Sequence, residues 1–405
     1  MHSFAYPEST FDKCLKCNAC VVSCPVSNAT LDFGGPKHLG PELKRLIENQ
    51  EVIDDHRIEL CTLCGNCDLS CPENVHVSTL TAMAKAVHAE KEGMKFRDFV
   101  LSNAEFVGKV ASAFGPITNI AMKMKPVRLI MEGVMGIPAE RQFPEYRFNN
   151  FNKRYKKKTA TTKRKVAYYV GCYATYNAPD VADAFVKVME YNGIEVVKPD
   201  QKCCGVPMFA NGKMEQGLKN ANYNINNLLE YTRQGYDVVV TCTSCTLALK
   251  KEYVSFLQSE GAYELAEHVY DADEYLRMLH AEGELNTDFA PMNVRAGYYA
   301  PCHLKSQGIG NPAMDVLELI PGYEIQDVAA GCCGQCGTFG FKKEKYEVSM
   351  AIGKPMAEAV AETNAEYTVT ECGMCKNQLD QLTDKEVLHP MQILAEAYER
   401  YTEAH

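Results

Sequence analysis

The chain has 405 residues, of which 19 are cysteine, and its 42 basic and 52 acidic side chains leave a formal charge of −10. That length exceeds one ordinary core and points to two or three domains, and the acidic balance excludes general nucleic-acid binding, which needs a basic footprint. An odd number of cysteines in a long chain that starts MHSFAYPESTFDK, without an apolar leader, argues against a secreted disulfide scaffold and for metal ligation in a reducing compartment.

In chain order, the first signal is a pair of cysteine runs. Residues 14–25 read CLKCNACVVSCP and residues 61–72 read CTLCGNCDLSCP. Both follow C-x2-C-x2-C-x3-C-P, the run that holds cubane [4Fe–4S] clusters in bacterial ferredoxins. Two-residue gaps wrap the backbone around one cube, so three thiolates reach three irons. The fourth cysteine sits a helical turn further on, points away, and ligates the other cluster. The expected cages are Cys14, Cys17, Cys20 and Cys71 for one cube, and Cys61, Cys64, Cys67 and Cys24 for the second. A zinc site would need only C-x2-C pairs and leaves the third and fourth cysteines unexplained. The insertion between the runs carries a helix-like stretch, PELKRLIENQ, so residues 1–95 are expected to form a helical two-cluster ferredoxin domain rather than the compact β form.

Residues 96–164 read as an arm and a linker. The longest uncharged run, Val110 to Met122, has 13 residues, where a membrane-spanning helix needs roughly 20. Between Val107 and Met131 there is no acidic residue, while Lys109, Lys123, Lys125 and Arg128 are basic, and Gly115-Pro116 interrupts the middle. This suits a pair of amphipathic helices lying in a membrane interface; the alternative is an arm packed on another domain or a partner subunit. From Asn152 to Lys165 the chain carries eight Lys or Arg and no acid, which serves as a solvated linker and as an attractor for anionic lipid.

The second half repeats itself. KVAYYVGC ends at Cys172 and VRAGYYAPC at Cys302; Cys203-Cys204 matches Cys332-Cys333; Cys242 and Cys245 match Cys372 and Cys375, all at an offset of 129 or 130. A fixed period of this length means two tandem copies of one subdomain, expected over residues 165–290 and 291–405. In the first copy VAYYV, IEVVKP and DVVVT read as strands. Between and after them PDVADAFVKVMEYNG, MEQGLKNANYNINNLLEYTRQG and TLALKKEYVSFLQSEG read as helices, with Pro179 and Gly193 at a start and a stop. Alternating strands and helices give an α/β fold with mainly parallel sheets. Cys172, Cys203-Cys204 and Cys242 each come just after a strand, where loops at the carboxyl ends of parallel strands converge on a crevice; Cys302, Cys332-Cys333 and Cys372 do the same.

These spacings, C-x30-CCG-x36-C-x2-C and C-x29-CCG-x37-C-x2-C, resemble the cysteine-rich CCG domains of heterodisulfide reductase subunits and of iron–sulfur subunits in lactate, glycolate and glycerol-3-phosphate oxidation. The resemblance implies a non-cubane [4Fe–4S] cluster held by Cys172, Cys203, Cys204, Cys242 and Cys245. In the second copy the corresponding ligands are Cys302, Cys332, Cys333, Cys372 and Cys375, and the resemblance implies that one or both copies carry such a cluster. Cys336 has no counterpart in the first copy, where Pro207 stands in its place; an alternative ligand, a redox-active thiol and a small buried residue remain open. Further phrases narrow the likeness: GPKHLGPELKRL, RDFVLSNAEFVGKVASAFGPITN, KPVR, QKCCGVPMFANG, CCGQCGTFGFKKEKY and HPMQILAEA. Together, from Lys13 to Ala397, they are similar to the C-subunit family of anaerobic glycerol-3-phosphate dehydrogenases.

That family resemblance implies flavin-containing partner subunits that oxidise sn-glycerol 3-phosphate, electron relay to menaquinone, and peripheral attachment to the cytoplasmic face of the membrane. The chain shows no dehydrogenase site of its own. GIGNPA, from Gly308, lacks the third glycine of a dinucleotide turn and reads as a loop entering a helix. His303 is a ligand or proton donor on one reading and a loop histidine with a structural hydrogen bond on the other. The rivals are a heterodisulfide-reductase-like catalytic subunit, an iron–sulfur subunit of a lactate or glycolate complex, and a zinc scaffold.

Overall fold

The computed structural model of the chain describes residues 10–48, 55–156 and 164–405. Its centre is two four-stranded sheets, each wholly parallel. The first contains β1 (Lys165–Tyr169), β2 (Glu195–Val197), β3 (Asp237–Val240) and β4 (Val269–Asp271) in the order β2-β1-β3-β4. The second contains β5 (Val294–Tyr298), β6 (Tyr323–Asp327), β7 (Tyr367–Val369) and β8 (Glu386–Leu388) in the order β6-β5-β7-β8. The two orders are the same, and so is the registration of the central strand: Val166 faces Val196 and Asp237, and Ala296 faces Ile325 and Tyr367. The α/β repeat expected from the offset is the fold observed.

The strands read as unbroken apolar runs because both faces of each sheet are covered. Along β1, Val166 and Tyr168 enter a core shared by both sheets, while Ala167 and Tyr169 enter a second core on the opposite face. Helices Pro179–Tyr191 and Pro390–Ala404 pack together across the shared core, with the rings of Tyr191 and Tyr398 stacked 4.9 Å apart. Pro179 opens its helix, and Gly193 follows its end at φ 67.

Two details differ from the sequence reading. The fourth strand of each sheet, β4 and β8, has three residues, too few to show a period. The expected helix from Thr246 to Gly261 is broken into Thr243–Leu247, a π turn at Ala248–Glu252, and Tyr253–Leu257. Gln258 then turns left-handed, and the Ser259 hydroxyl accepts from the Ala262 N–H to start Glu260–Ala266. A good local N-cap outcompetes helix continuation there.

Ahead of the sheets, the described residues form helices and loops, as expected for a helical ferredoxin domain. Its long helix, Val77–Glu92, sends Ala82, Met83 and Ala86 into the outer core of the first sheet. Val26, Phe33 and Leu39 pack with Ile352 and Cys332 of the second unit. The arm comprises Phe96–Ser102, Ala104–Ala113, Gly115–Lys123 and Lys125–Met135, four short helices where the sequence suggested a pair. Pro116 and Pro126 each open a new helix, since neither can continue the old one. Gly115 is required by close approach: a Cβ there would lie 2.8 Å from the Tyr146 carbonyl oxygen. The basic stretch from Asn152 to Lys165 lies, for its residues 157–163, outside the described residues.

Candidate iron–sulfur sites

Two cysteine cages form in the ferredoxin domain. Cys14, Cys17, Cys20 and Cys71 line one small cavity, and Cys24, Cys61, Cys64 and Cys67 line another. The exchange of fourth cysteines follows from local geometry. Residues flanking the second cysteine of each run are left-handed, Lys16 and Asn18 at φ 57 and 68, Leu63 and Gly65 at φ 53 and 78. Each loop curls around its own cavity and enters a one-turn helix, Ala19–Val22 or Asn66–Leu69. These helices pack side by side, with the hydroxyls of Ser23 and Ser70 meeting at 2.8 Å, so Cys24 and Cys71 emerge across from their own loops. Burial and the neighbouring Cys14, Cys17 and Cys71 thiols push Cys20 up to about 11.

Two further thiol groups stand at the carboxyl ends of the sheets. Cys172 follows β1, Cys203-Cys204 follow β2, and Cys242 caps the short helix that brings in Cys245 after β3. The order β2-β1-β3-β4 puts the switch point between β1 and β3, so these loops converge. Cys204 and Cys245 Sγ lie 3.4 Å apart, and the Cys203 thiol is the main cause that raises Cys172. In the second unit, Cys333 and Cys375 Sγ lie 3.3 Å apart, and Cys372 caps helix Gly373–Leu382. Cys336 Sγ lies 3.4 Å from Cys332. The Cys332 thiol and burial raise Cys336 well above its usual range, with Cys333 and Cys302 adding to the shift. Neighbouring thiols, and burial after them, push Cys333 up to about 12, and Cys204, Cys245 and Cys375 well above their usual range.

The tyrosine pairs ahead of Cys172 and Cys302 brace both units alike. Tyr169 donates to the Lys202 carbonyl at 2.5 Å, and Tyr299 to the Gly331 carbonyl at 2.7 Å, each just before a vicinal pair. Tyr168 bonds Thr241 at 2.8 Å, and Tyr298 donates to Glu371 at 2.6 Å, each just before a C-x2-C. The doubled YY of the repeat was their signal in the sequence.

The cages adjoin. Cys24, Cys61, Cys302, Cys332 and Cys336 share one apolar cluster, and burial, followed by the Cys332 thiol, raises Cys64. Ser306 donates to the Cys64 carbonyl at 2.9 Å, and the buried Lys85 ammonium to the Cys61 carbonyl at 2.6 Å. His303 reaches Ser244 at 2.7 Å and the Leu63 carbonyl at 3.3 Å, tying three units together by its two ring nitrogens. GIGNPA is a loop entering the six-residue helix Pro312–Leu317. A cavity of about 730 Å³ opens between the two units, with Cys242 from one and Cys372 from the other in its wall.

Two arm residues had no sequence signal. Glu105 accepts from the Cys203 N–H at 2.6 Å. Arg141, 1% exposed, lies behind the second vicinal pair. Arg128, counted above among cations facing a membrane, is instead buried; it donates to the carbonyls of Pro138, Ala139 and Arg141.

Among the described residues no three His, Cys, Asp or Glu converge to hold a single metal ion. The thiols line wider cages, as fits a cluster whose thiolates each take their own iron. A fold of this kind defines an iron–sulfur protein with a dicluster domain and two cysteine-rich domains. The family descriptions that match are a 4Fe-4S dicluster domain over residues 10–75 and a cysteine-rich domain over 166–250 and 296–380. The C-subunit of the anaerobic glycerol-3-phosphate dehydrogenase of Escherichia coli (strain K12) is 33% identical, over 96% of this chain and 99% of its own length. The glycolate oxidase iron–sulfur subunit of the same organism is 23% identical over 97% and 95%. The D-subunit of the Methanosarcina barkeri dihydromethanophenazine:CoB–CoM heterodisulfide reductase is 24% identical over 92% and 89%. The chain belongs to the C-subunit family of anaerobic glycerol-3-phosphate dehydrogenases, and is an iron–sulfur subunit of the oxidoreductase class.

Proposed function

We propose that this chain is the electron-transfer subunit of a glycerol-3-phosphate-oxidising complex. It receives electrons from flavin-containing partner subunits and passes them to menaquinone at the inner face of the cell membrane. The proposed ligands are Cys14, Cys17, Cys20 and Cys71 for one cubane [4Fe–4S] cluster, and Cys61, Cys64, Cys67 and Cys24 for the other. Cys172, Cys203, Cys204, Cys242 and Cys245 serve the first CCG cluster, and Cys302, Cys332, Cys333, Cys372 and Cys375 the second, with Cys336 as an alternative ligand. Such clusters supply one-electron carriers; the protein fixes their spacing, burial and surrounding charge.

The observation that carries this reading is the position of Cys61, which packs with Cys172, Cys203 and Cys204 on one side and with Cys24, Cys302, Cys332 and Cys336 on the other, so that one ferredoxin cage adjoins both CCG sites. The substrate comes from the name of the 33% identical relative. Membrane attachment is supported by the arm, which holds eleven of the seventeen exposed large hydrophobic side chains among the described residues, from Phe96 to Val134. No helix among the described residues is long and apolar enough to cross a membrane, so the attachment would be interfacial. The test is anaerobic mixing of the brown holo-protein with its partner flavoprotein. Glycerol 3-phosphate should bleach the clusters, and a menaquinone analogue should restore the colour. Bleaching by lactate or glycolate alone would replace the substrate.

The heterodisulfide-reductase-like reading is favoured by the cavity between Cys242 and Cys372, which could admit a reducible ligand to both CCG sites. Dye-driven disulfide reduction by the isolated holo-protein would establish it.

A further inference from the structure

Among the described residues, Arg141 is a buried cation without a carboxylate. Its guanidinium donates to the Gly340 carbonyl at 2.8 Å, to Gln335, Gln378 and Gln381 at 2.8, 2.5 and 2.9 Å, and to Ser349 at 3.0 Å. It also lies 4.8 Å from the centre of the Tyr346 ring. Each of these hydrogen-bond acceptors is neutral. Such a group loses its hydration and gains no opposite charge in return, an arrangement that proteins rarely keep unless an anion stands nearby. Burial brings Arg141 down only to about 10, so it remains a cation at neutral pH, and the ionisable groups that act on it are Tyr346 and the Cys333 thiol. Its seat is built. Arg128 grips the carbonyls of Pro138, Ala139 and Arg141, fixing the segment that delivers the guanidinium. Gln335 and Gln378, neighbours in sequence of the Cys332-Cys333 pair and of Cys375, supply two of the acceptors.

The first unit is made differently. The Phe209 ring packs against Gly205 and Gly217 behind its vicinal pair, and the arm presents the Glu105 carboxylate to the Cys203 N–H. Lys202 and Lys109 stand near that carboxylate and temper it. One arm thus sends a carboxylate to one CCG site and a guanidinium to the other.

We propose that Arg141 is a positioning residue for electrons: its charge offsets that of the thiolate-ligated cluster at the second CCG site and raises that cluster's reduction potential. Reduction adds negative charge, and a fixed cation stabilises the more negative state. The site that shares a wall with the Cys24, Cys61, Cys64 and Cys67 cage thereby becomes an electron sink. The proposal rests on the cluster assignment above but not on the identity of substrate or quinone.

The test is an anaerobic, EPR-monitored redox titration of the full-length holo-protein. The second CCG signal is identified as the one lost in Cys372→Ser. Arg141→Met removes the charge; Arg141→Lys keeps it with fewer donors. The expected result is a shift of that signal alone to more negative potential in Arg141→Met, with the lysine variant close to wild type. If Arg141→Met yields no folded protein, Arg141→Gln takes its place. Glu371 and Lys305 flank the same site in every variant, so differences among variants report on position 141. An unmoved second cluster in the neutral variant, or equal shifts in the neutral and lysine variants, overturns the proposal. Absence of iron from the wild-type second site overturns the cluster assignment as well, and iron analysis separates the two failures.

Discussion

His389 fastens the last helix to the first sheet through a neutral imidazole. Its Nδ1 accepts from the Met391 N–H at 3.1 Å, so Nε2 carries the proton and donates to the Thr241 carbonyl at 2.9 Å. Protonation would remove the acceptor and bury a charge, which holds the pKa at about 4. An unfolded histidine titrates near about 6.5. Between these values the unfolded chain binds a proton that the folded chain refuses, so this contribution is complete above about 6.5 and is lost as pH falls towards 4, by about 3 kcal/mol in all. Denaturant unfolding of anaerobic holo-protein should therefore show a larger loss between pH 7.5 and pH 5 in wild type than in His389→Asn, which caps the helix without titrating there. Equal losses would show that His389 does not report this pH dependence. Cys336 permits a sharper test. Its Sγ stands 3.4 Å from that of Cys332, at left-handed φ 45. Cys336→Ala should alter the EPR line shape of the second CCG cluster and leave the other cluster signals unchanged; an unaltered spectrum would reduce it to a packing residue.

Among the elements, the loop Cys61–Cys67 bears most on assembly, because the second CCG unit docks on it. Gly65 is left-handed at φ 78, and a Cβ there would fall 2.4 Å from the Ser306 hydroxyl. Gly65→Ala should cost about 1–3 kcal/mol, as strain at a special φ commonly does, and should loosen the Ser306 contact to Cys64. Slower electron passage from the cubane clusters to the second CCG site would be read by rapid freeze-quench EPR. The arm predicts the opposite pattern. Ile117 and Ile130 are 70% and 65% exposed, so changing both to Glu should leave stability within about 0.5 kcal/mol per site while abolishing flotation with anionic liposomes. Retained flotation would move attachment elsewhere. The difference between these elements also explains what could be read from sequence. The ferredoxin runs are local and the CCG copies recur at one offset, so cage and sheet signals survive without coordinates. The π turn at Ala248–Glu252 depends on tertiary packing, and the three-residue strands β4 and β8 are defined by their neighbours in the sheet. Arg141 finds its acceptors 194 to 240 positions downstream, a distance no local pattern spans.

At the scale of the whole molecule, the cages are also where the three units meet. Cys61 packs against the first CCG core and against the cluster that contains Cys332 and Ile352 of the second. Lys345 donates to the Glu59 carbonyl at 2.6 Å, and Arg97 of the arm grips Glu344 at 2.6 and 2.8 Å. These contacts position the loop that carries Cys61 and Cys64. Iron in such cages acts as a bound ligand of the folded state alone, so its removal subtracts stability from every unit that shares a cage wall. The four clusters proposed above would bring about sixteen irons per chain. Anaerobic stripping with an oxidant and chelator should lower the melting temperature of the whole chain in one concerted transition, followed by circular dichroism, because each emptied cage leaves buried thiols without a partner. Cys64→Ala should reproduce part of this effect, since the lost thiolate belongs to the wall between the ferredoxin domain and the second CCG unit. Its melting should affect the sheets as well as the N-terminal helices. If the stripped protein instead melted at the holo-protein's temperature, or if only the N-terminal helices melted earlier, the clusters would be passengers in a scaffold that stands without them.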